Sequence, residues 1–285
     1  MLKNCYQLCT TALQDTLLCK VREDYIFLWN RIAILCALLD IKVYCICLMS
    51  NHFHIILQAD PARIDLFFQK LKVQLGRYHK RKYGTSPAPR LEYKLFPVRD
   101  RKAFCQEMAY LLRNPYKARI NNPVTYPWSC GQIYFSGLRR TGKRVADMTF
   151  EERLTRLHTR QSLPGEMAVS PEGMILPETF IDTGFAETMF GGSPVLFFDL
   201  LKKWNLEDIV HTSHGESVND PYSDEEIADG IRSICRDVFG NLSPREMDGK
   251  ALARLTRQVY ARYGASRAQL LRLLPVDDFL LDRML

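Results

Sequence analysis

The chain has 285 residues, 47% hydrophobic and 25% charged, with a formal net charge of +7. Those proportions belong to a globular protein with room for one or two domains, and they exclude a disordered or fibrous chain. No run of about 18 apolar residues occurs, so no membrane span is expected, and Met1-Leu2-Lys3-Asn4-Cys5-Tyr6 lacks the apolar core of a signal peptide.

Cys5 to Thr10 reads as a first strand. Glu23-Asp24 then caps a helix over Tyr25 to Leu39, where Phe27, Ile32, Leu35 and Leu38-Leu39 recur with helical spacing. Ile41 to Leu48 is rich in β-branched and aromatic residues and predicts a buried strand; Ser50-Asn51 supplies turn chemistry, and His52 to Gln58 predicts its hairpin partner. Asp60-Pro61 opens a helix that should run to about Lys82 and stop at Gly84. Tyr93 to Val98 reads as a fourth strand, and Asp100 begins a helix expected to end near Asn114, because Pro115 disfavours helical geometry at the residue before it. The order β-α-β-β-α-β-α predicts an α+β fold: an antiparallel sheet with helices packed on one face, related to the split βαβ plan.

Three regions follow from composition: a domain over 1–135, an irregular or helical excursion or linker over 136–222, and a C-terminal helical region over 223–285. In the last of these, Ser266 can cap a helix from Arg267 to Leu274, and Asp277 to Leu285 can form a second, a pair with helix-turn-helix character or a plain helical bundle. Residues 1–135 hold 20 Lys+Arg against 9 Asp+Glu, whereas 136–285 hold 19 against 23. A basic first domain suggests a polyanion partner. Eight of the nine cysteines lie before residue 131, mostly in apolar runs without Cys-x-x-Cys pairs, which predicts reduced core thiols in a cytoplasmic protein.

His52 and His54 stand two apart in an apolar run. On a strand they share one face and can hold a divalent metal; the plain alternative is a pair of ordinary strand histidines. Arg77, Tyr78, Lys80, Arg81, Lys82 and Tyr83 end the second helix as a basic run with interleaved aromatics. Such a run can bind phosphates and stack unpaired bases, or simply be a solvated helix end whose cations favour the dipole. Tyr110 and Asn114, four apart, share a helix face. A phenol, an amide oxygen and two imidazoles around a metal suit attack on a phosphodiester. Tyr116 competes with Tyr110 among thirteen tyrosines.

Leu48-Met49-Ser50-Asn51-His52-Phe53-His54-Ile55-Ile56-Leu57 resembles the "MPNHxHLL" signature of HUH single-tyrosine transposases. Ala109 to Ala118 resembles that family's "YIxxNPVKAG" motif, and Tyr126-Pro127-Trp128-Ser129-Cys130 its "WPWSS" stretch; the best-fitting subgroup is the REP-associated tyrosine transposases. The resemblance covers about residues 1–135. It implies the ferredoxin-like HUH fold, Tyr110 as nucleophile, and His52, His54 and Asn114 as ligands of Mg²⁺ or Mn²⁺. It further implies single-stranded DNA beside a hairpin as substrate and a homodimer as the working unit. Ser50 replaces the usual proline of the first motif, and Arg119 stands where glycine is common. The expected function is a metal-dependent single-stranded DNA endonuclease and strand transferase passing through a 5′-phosphotyrosine. Two alternatives stand beside it: a domesticated, non-cutting binder of structured single-stranded DNA or RNA, and metal-assisted hydrolysis by water.

Overall fold

The computed structural model describes residues 2–13, 16–118, 120–137, 140–202, 224–263, 265, 267–277, 280, 281 and 284. Strand β1 (Cys5–Thr10) leads to helix α1 (Arg22–Leu38), the hairpin β2 (Lys42–Leu48) and β3 (Phe53–Gln58), helix α2 (Pro61–Tyr83), strand β4 (Tyr93–Pro97) and helix α3 (Arg101–Lys117). The strands order β2-β3-β1-β4, every neighbouring pair antiparallel. This is the ferredoxin-like arrangement of a βαββαβ unit, an α+β fold.

The register sorts side chains onto two faces. Leu8 lies opposite Ile55, which lies opposite Ile46; one residue along, Cys9 lies opposite His54, which lies opposite Cys47. Alternation along each strand sends the first row to one side of the sheet and the second to the other. Helix α2 reaches the first side through Phe68 on Tyr93 (ring centroids 4.3 Å apart), and α1 lies against α2 with Phe27 stacked on Tyr78 at 3.9 Å. Helix α3 covers the second, histidine-bearing side, so the pair α1 and α2 and the helix α3 bury opposite faces of one sheet.

The expected elements of the first domain are present, with two differences. The helices cover both faces of the sheet rather than the one expected, because α3 packs on the histidine-bearing side, Tyr110 against His54, away from α1 and α2. The second is that α3 runs further than expected. α3 does not stop at Asn114 but continues through Pro115 to Lys117. Proline lacks the N–H that would bond to Leu111 O. The Asn114 side chain supplies that donor instead, Nδ2 to Leu111 O at 3.1 Å, and the helix carries on. At α2 the stop at Gly84 is as read: Gly84 sits at φ 75°, a left-handed conformation that glycine adopts at little steric cost.

Residues 143–202 are packed into the same core. They form a two-residue ribbon, β5 (Lys143–Arg144) with β6 (Ala168–Val169), and helices α4 (Phe150–Leu157), α5 (Thr183–Met189) and α6 (Pro194–Lys202). Three consecutive residues of α1 staple them down: Trp29 Nε1 donates to Ile175 O (2.8 Å), Asn30 exchanges bonds with Gly173 O and Ile175 N (2.7 and 2.8 Å), and Arg31 donates to Leu157 O. The buried core runs from Cys5 to Leu201. The outer edge of β2 is also covered. Leu48 N donates to Trp128 O, while Ile46 O accepts from Cys130 N and Val43 O from Asp182 N, so edge donors and acceptors that would invite another chain are taken.

A second core, from Ile227 to Leu281, joins α7 (Asp224–Phe239), α8 (Gly249–Tyr263) and α9 (Arg267–Leu273). Residues 203–223 and the predicted cap Ser266 lie outside the described residues, as does part of the expected last helix; Asp277 there accepts Leu280 N at 2.7 Å. Among the described residues no helix is long and apolar enough to cross a membrane. All nine cysteines are buried free thiols.

Candidate active site between the sheet and the third helix

The site begins in the hairpin turn. Met49 N donates to His52 O (2.8 Å), closing a two-residue turn over Ser50 and Asn51. His52 follows the turn and His54 is the second residue of β3, so both imidazoles leave on the same side. Their ring centroids stand 5.0 Å apart and nearly perpendicular. Both side chains are buried, at 1% and 0% exposure.

Tyr110 arrives from α3. Its ring meets His54 edge-on, centroids 6.1 Å apart at 84°. Tyr110 is itself only 3% exposed. Lys117, two helical turns later, lays its ammonium over the Tyr110 ring, 5.0 Å from the centroid. Three sequence-predicted residues from two motifs some 56 positions apart in sequence are thus brought into one buried cluster. Asn114 is one turn beyond Tyr110 and buried; its Nδ2 donates to Tyr110 O (3.2 Å) as well as to Leu111 O, which leaves Oδ1 as its remaining coordinating atom. Tyr116, the competing tyrosine, is 40% exposed on the outside of the helix.

His52 is neutral at pH 7. Burial, helped by the positive charge of Lys117, pushes its imidazole down to about 4. Its Nε2 is buried and has no hydrogen-bond partner among the described residues. A neutral imidazole with a buried lone pair suits a divalent cation. Among the described residues no three His, Cys, Asp or Glu side chains converge as a metal-holding group, so of the expected ligands the two neighbouring imidazoles are the ones brought together. That all-neutral donor set fits a cation brought in together with an anionic phosphate, since the phosphate supplies the charge that the chain does not.

The basic end of α2 divides into two sets. Arg77, Lys80 and Arg81 are exposed. Tyr78, Lys82 and Tyr83 converge on Asp24, which is 1% exposed: its carboxylate accepts Tyr78 Oη (2.6 Å), Lys82 Nζ (2.6 Å) and Tyr83 Oη (2.7 Å), besides the backbone N–H groups of Lys20 and Val21. Burial alone would raise the Asp24 carboxyl, but the bonds from Lys82, Tyr78 and Tyr83 outweigh it and bring it down to about 2. This knot ties the start of α1 to the end of α2. From there a chain of bonds reaches the histidine turn: His79 Nε2 bonds to Leu18 O (2.8 Å), and Leu18 N and Cys19 N both donate to Ser50 O.

Sequence reasoning took Asp24 only as a helix cap and Asn51 only as a turn residue, and did not single out Lys117. The charge of Asp24 and the basic, aromatic end of α2 were each visible. The pairing was not, because it joins residues more than fifty positions apart.

No protein-family model matches this chain, and no curated protein matches it significantly. Among solved structures, a REP-associated tyrosine transposase bound to a REP hairpin is similar to it at 14% identity and a TM-score of 0.36, over 53% of this chain and 92% of that one. That likeness is distant, and neither the fold assigned above nor the site geometry rests on it.

Proposed function

We propose that this protein is a divalent-metal-dependent enzyme that nicks single-stranded DNA and transfers the strand, with Tyr110 as nucleophile. The observation that carries the reading is the Tyr110–His54 ring contact at 6.1 Å, which joins the two motifs in one buried cluster with His52. His52, His54 and Asn114 would hold Mg²⁺ or Mn²⁺, which when bound polarises the scissile phosphate. Tyr110 Oη gives up its proton to solvent and attacks the phosphorus. The bond from phosphorus to the 3′ oxygen breaks as the bond to Tyr110 on the 5′ side forms, and the leaving 3′ oxygen takes a proton from solvent to become a hydroxyl. Lys117, over the Tyr110 ring, offsets the negative charge gathered at the phosphate. Arg77, Lys80 and Arg81 hold the strand's phosphates outside the cluster. The motif resemblance supports a hairpin-flanked substrate and a homodimer, and nine buried thiols suit the reducing conditions of a cytoplasmic setting.

One observation favours a second reading, a binder of structured single strands that does not cut. Tyr110, His52 and His54 are all buried, so cutting requires the cover above them, Lys117 included, to open. The two readings separate on one experiment. Hairpin-flanked oligonucleotides are incubated with the full chain and Mn²⁺ and run under denaturing conditions. The enzyme gives a protein–DNA band that chelator abolishes. The binder gives none, and its binding is indifferent to chelator.

A further inference from the structure

Asn51 belongs to the turn, yet its side chain is only 1% exposed and is committed on both sides. Nδ2 donates to Leu13 O at 3.1 Å. A carbonyl can only accept, so this contact fixes which way the amide points. Oδ1 then faces His52 Nδ1 at 2.7 Å, and it too can only accept. His52 must therefore carry its proton on Nδ1. The lone pair is left on Nε2, the buried nitrogen without a hydrogen-bond partner. The arrangement is braced from outside: Leu13 N donates back to Asn51 O at 3.2 Å, and Ser50 O holds Leu18 N and Cys19 N at 2.8 and 2.9 Å.

We propose that Asn51 is a positioning residue, which locks His52 in the Nδ1–H tautomer and presents the Nε2 lone pair to a divalent cation shared with His54. The proposal rests on the reading of the histidine pair as a metal-holding pair. Its physical basis is general. An imidazole whose second nitrogen donates to a fixed acceptor is held in both tautomer and ring orientation, and loss of such an acceptor costs about 10- to 100-fold in metal affinity.

The test uses the full chain, labelled with ¹⁵N-histidine, with His52 assigned from His52→Gln. Long-range ¹H–¹⁵N spectra of the metal-free protein report the tautomer, and electron paramagnetic resonance reports Mn²⁺ uptake. Asn51→Leu removes the acceptor at similar volume, whereas Asn51→Asp keeps it. The expected result is the Nδ1–H tautomer in the wild type and in N51D, its loss in N51L, and Mn²⁺ affinity about 10- to 100-fold weaker in N51L but retained in N51D. A wild-type His52 protonated on Nε2 overturns the proposal, and this spectrum decides even if N51L does not fold. Mn²⁺ affinity unchanged in N51L overturns the role of Asn51 alone. A wild type that shows the Nδ1–H tautomer but takes up no Mn²⁺ overturns the metal reading of the pair, and with it the purpose assigned to Asn51.

Discussion

The side chain of Asn114 donates to the backbone carbonyl of Leu111 at 3.1 Å, filling the place of the N–H that Pro115 lacks. One residue thus repairs the helix that carries Tyr110 and, through its second bond to Tyr110 O at 3.2 Å, is held one turn beyond it. Removing the repair leaves a buried carbonyl unsatisfied, so Asn114→Ala should lower stability by about 1–3 kcal/mol. Pro115→Ala restores a backbone donor. In that background the cost of Asn114→Ala should shrink by about 1 kcal/mol, measured as a double-mutant cycle in urea. Strict additivity would mean that the Asn114 bond does not substitute for the missing N–H.

The Asp24 knot makes stability depend on acid. The folded carboxyl titrates at about 2, below its ordinary value of 3.8. Its stabilisation is therefore full above the unfolded value and is lost as pH falls through the folded one. The size is on the order of 2 kcal/mol, since one pKa unit is worth about 1.4. Asp24→Asn should be less stable than wild type by about that amount at pH 7. The difference should close between pH 4 and pH 2 in thermal melts. A constant gap across that window would contradict the assignment.

The division of the α2 end predicts two kinds of variant. Neutralising Arg77, Lys80 and Arg81 together should leave the melting temperature nearly unchanged. It should also flatten the logarithmic salt dependence of single-strand binding by about 2, at roughly 0.7 per contact. Tyr83→Phe, by contrast, removes a donor to Asp24 and should register in stability more than in binding. A salt slope unmoved by the triple substitution would place the nucleic-acid surface elsewhere.

The staples from α1 imply that residues 143–202 are needed by the domain they cover. A chain cut back to residues 1–135 would expose Trp29, whose indole N–H bonds to Ile175 O and whose ring packs edge-on against Phe180 at 5.8 Å. Such a fragment should bind a hydrophobic dye and melt without cooperativity. In the full chain, 143–202 should resist limited proteolysis. A cooperative, dye-free fragment would show the excursion to be dispensable.

Much of this was legible in the sequence because the signals are local. The alternating apolar run from His52 to Gln58, the Asp60-Pro61 start and the Gly84 stop each act over a few residues. The strand order follows from element order plus the preference for short, right-handed connections. The passage of α3 through Pro115 was not legible from backbone rules, because a side chain supplied the missing donor. Nor was the split of Arg77 to Tyr83 into an exposed set and a set tied to Asp24, which depends on where α1 begins relative to where α2 ends. The 143–202 segment reads as an excursion of small helices and loops or a linker because its apolar stretches are short; its docking was not legible, since three polar or amphipathic side chains of α1, rather than a periodic stripe, hold it.

The most direct measurement is the site of the covalent bond. The full chain is trapped with a hairpin-flanked oligonucleotide and Mn²⁺, digested, and the DNA-bearing peptide identified by mass spectrometry, with Tyr110→Phe in parallel. The expected result is an adduct on the peptide holding Tyr110, lost in Tyr110→Phe while the variant stays folded. An adduct on exposed Tyr116, or cleaved DNA with no protein attached, would contradict Tyr110 as the nucleophile.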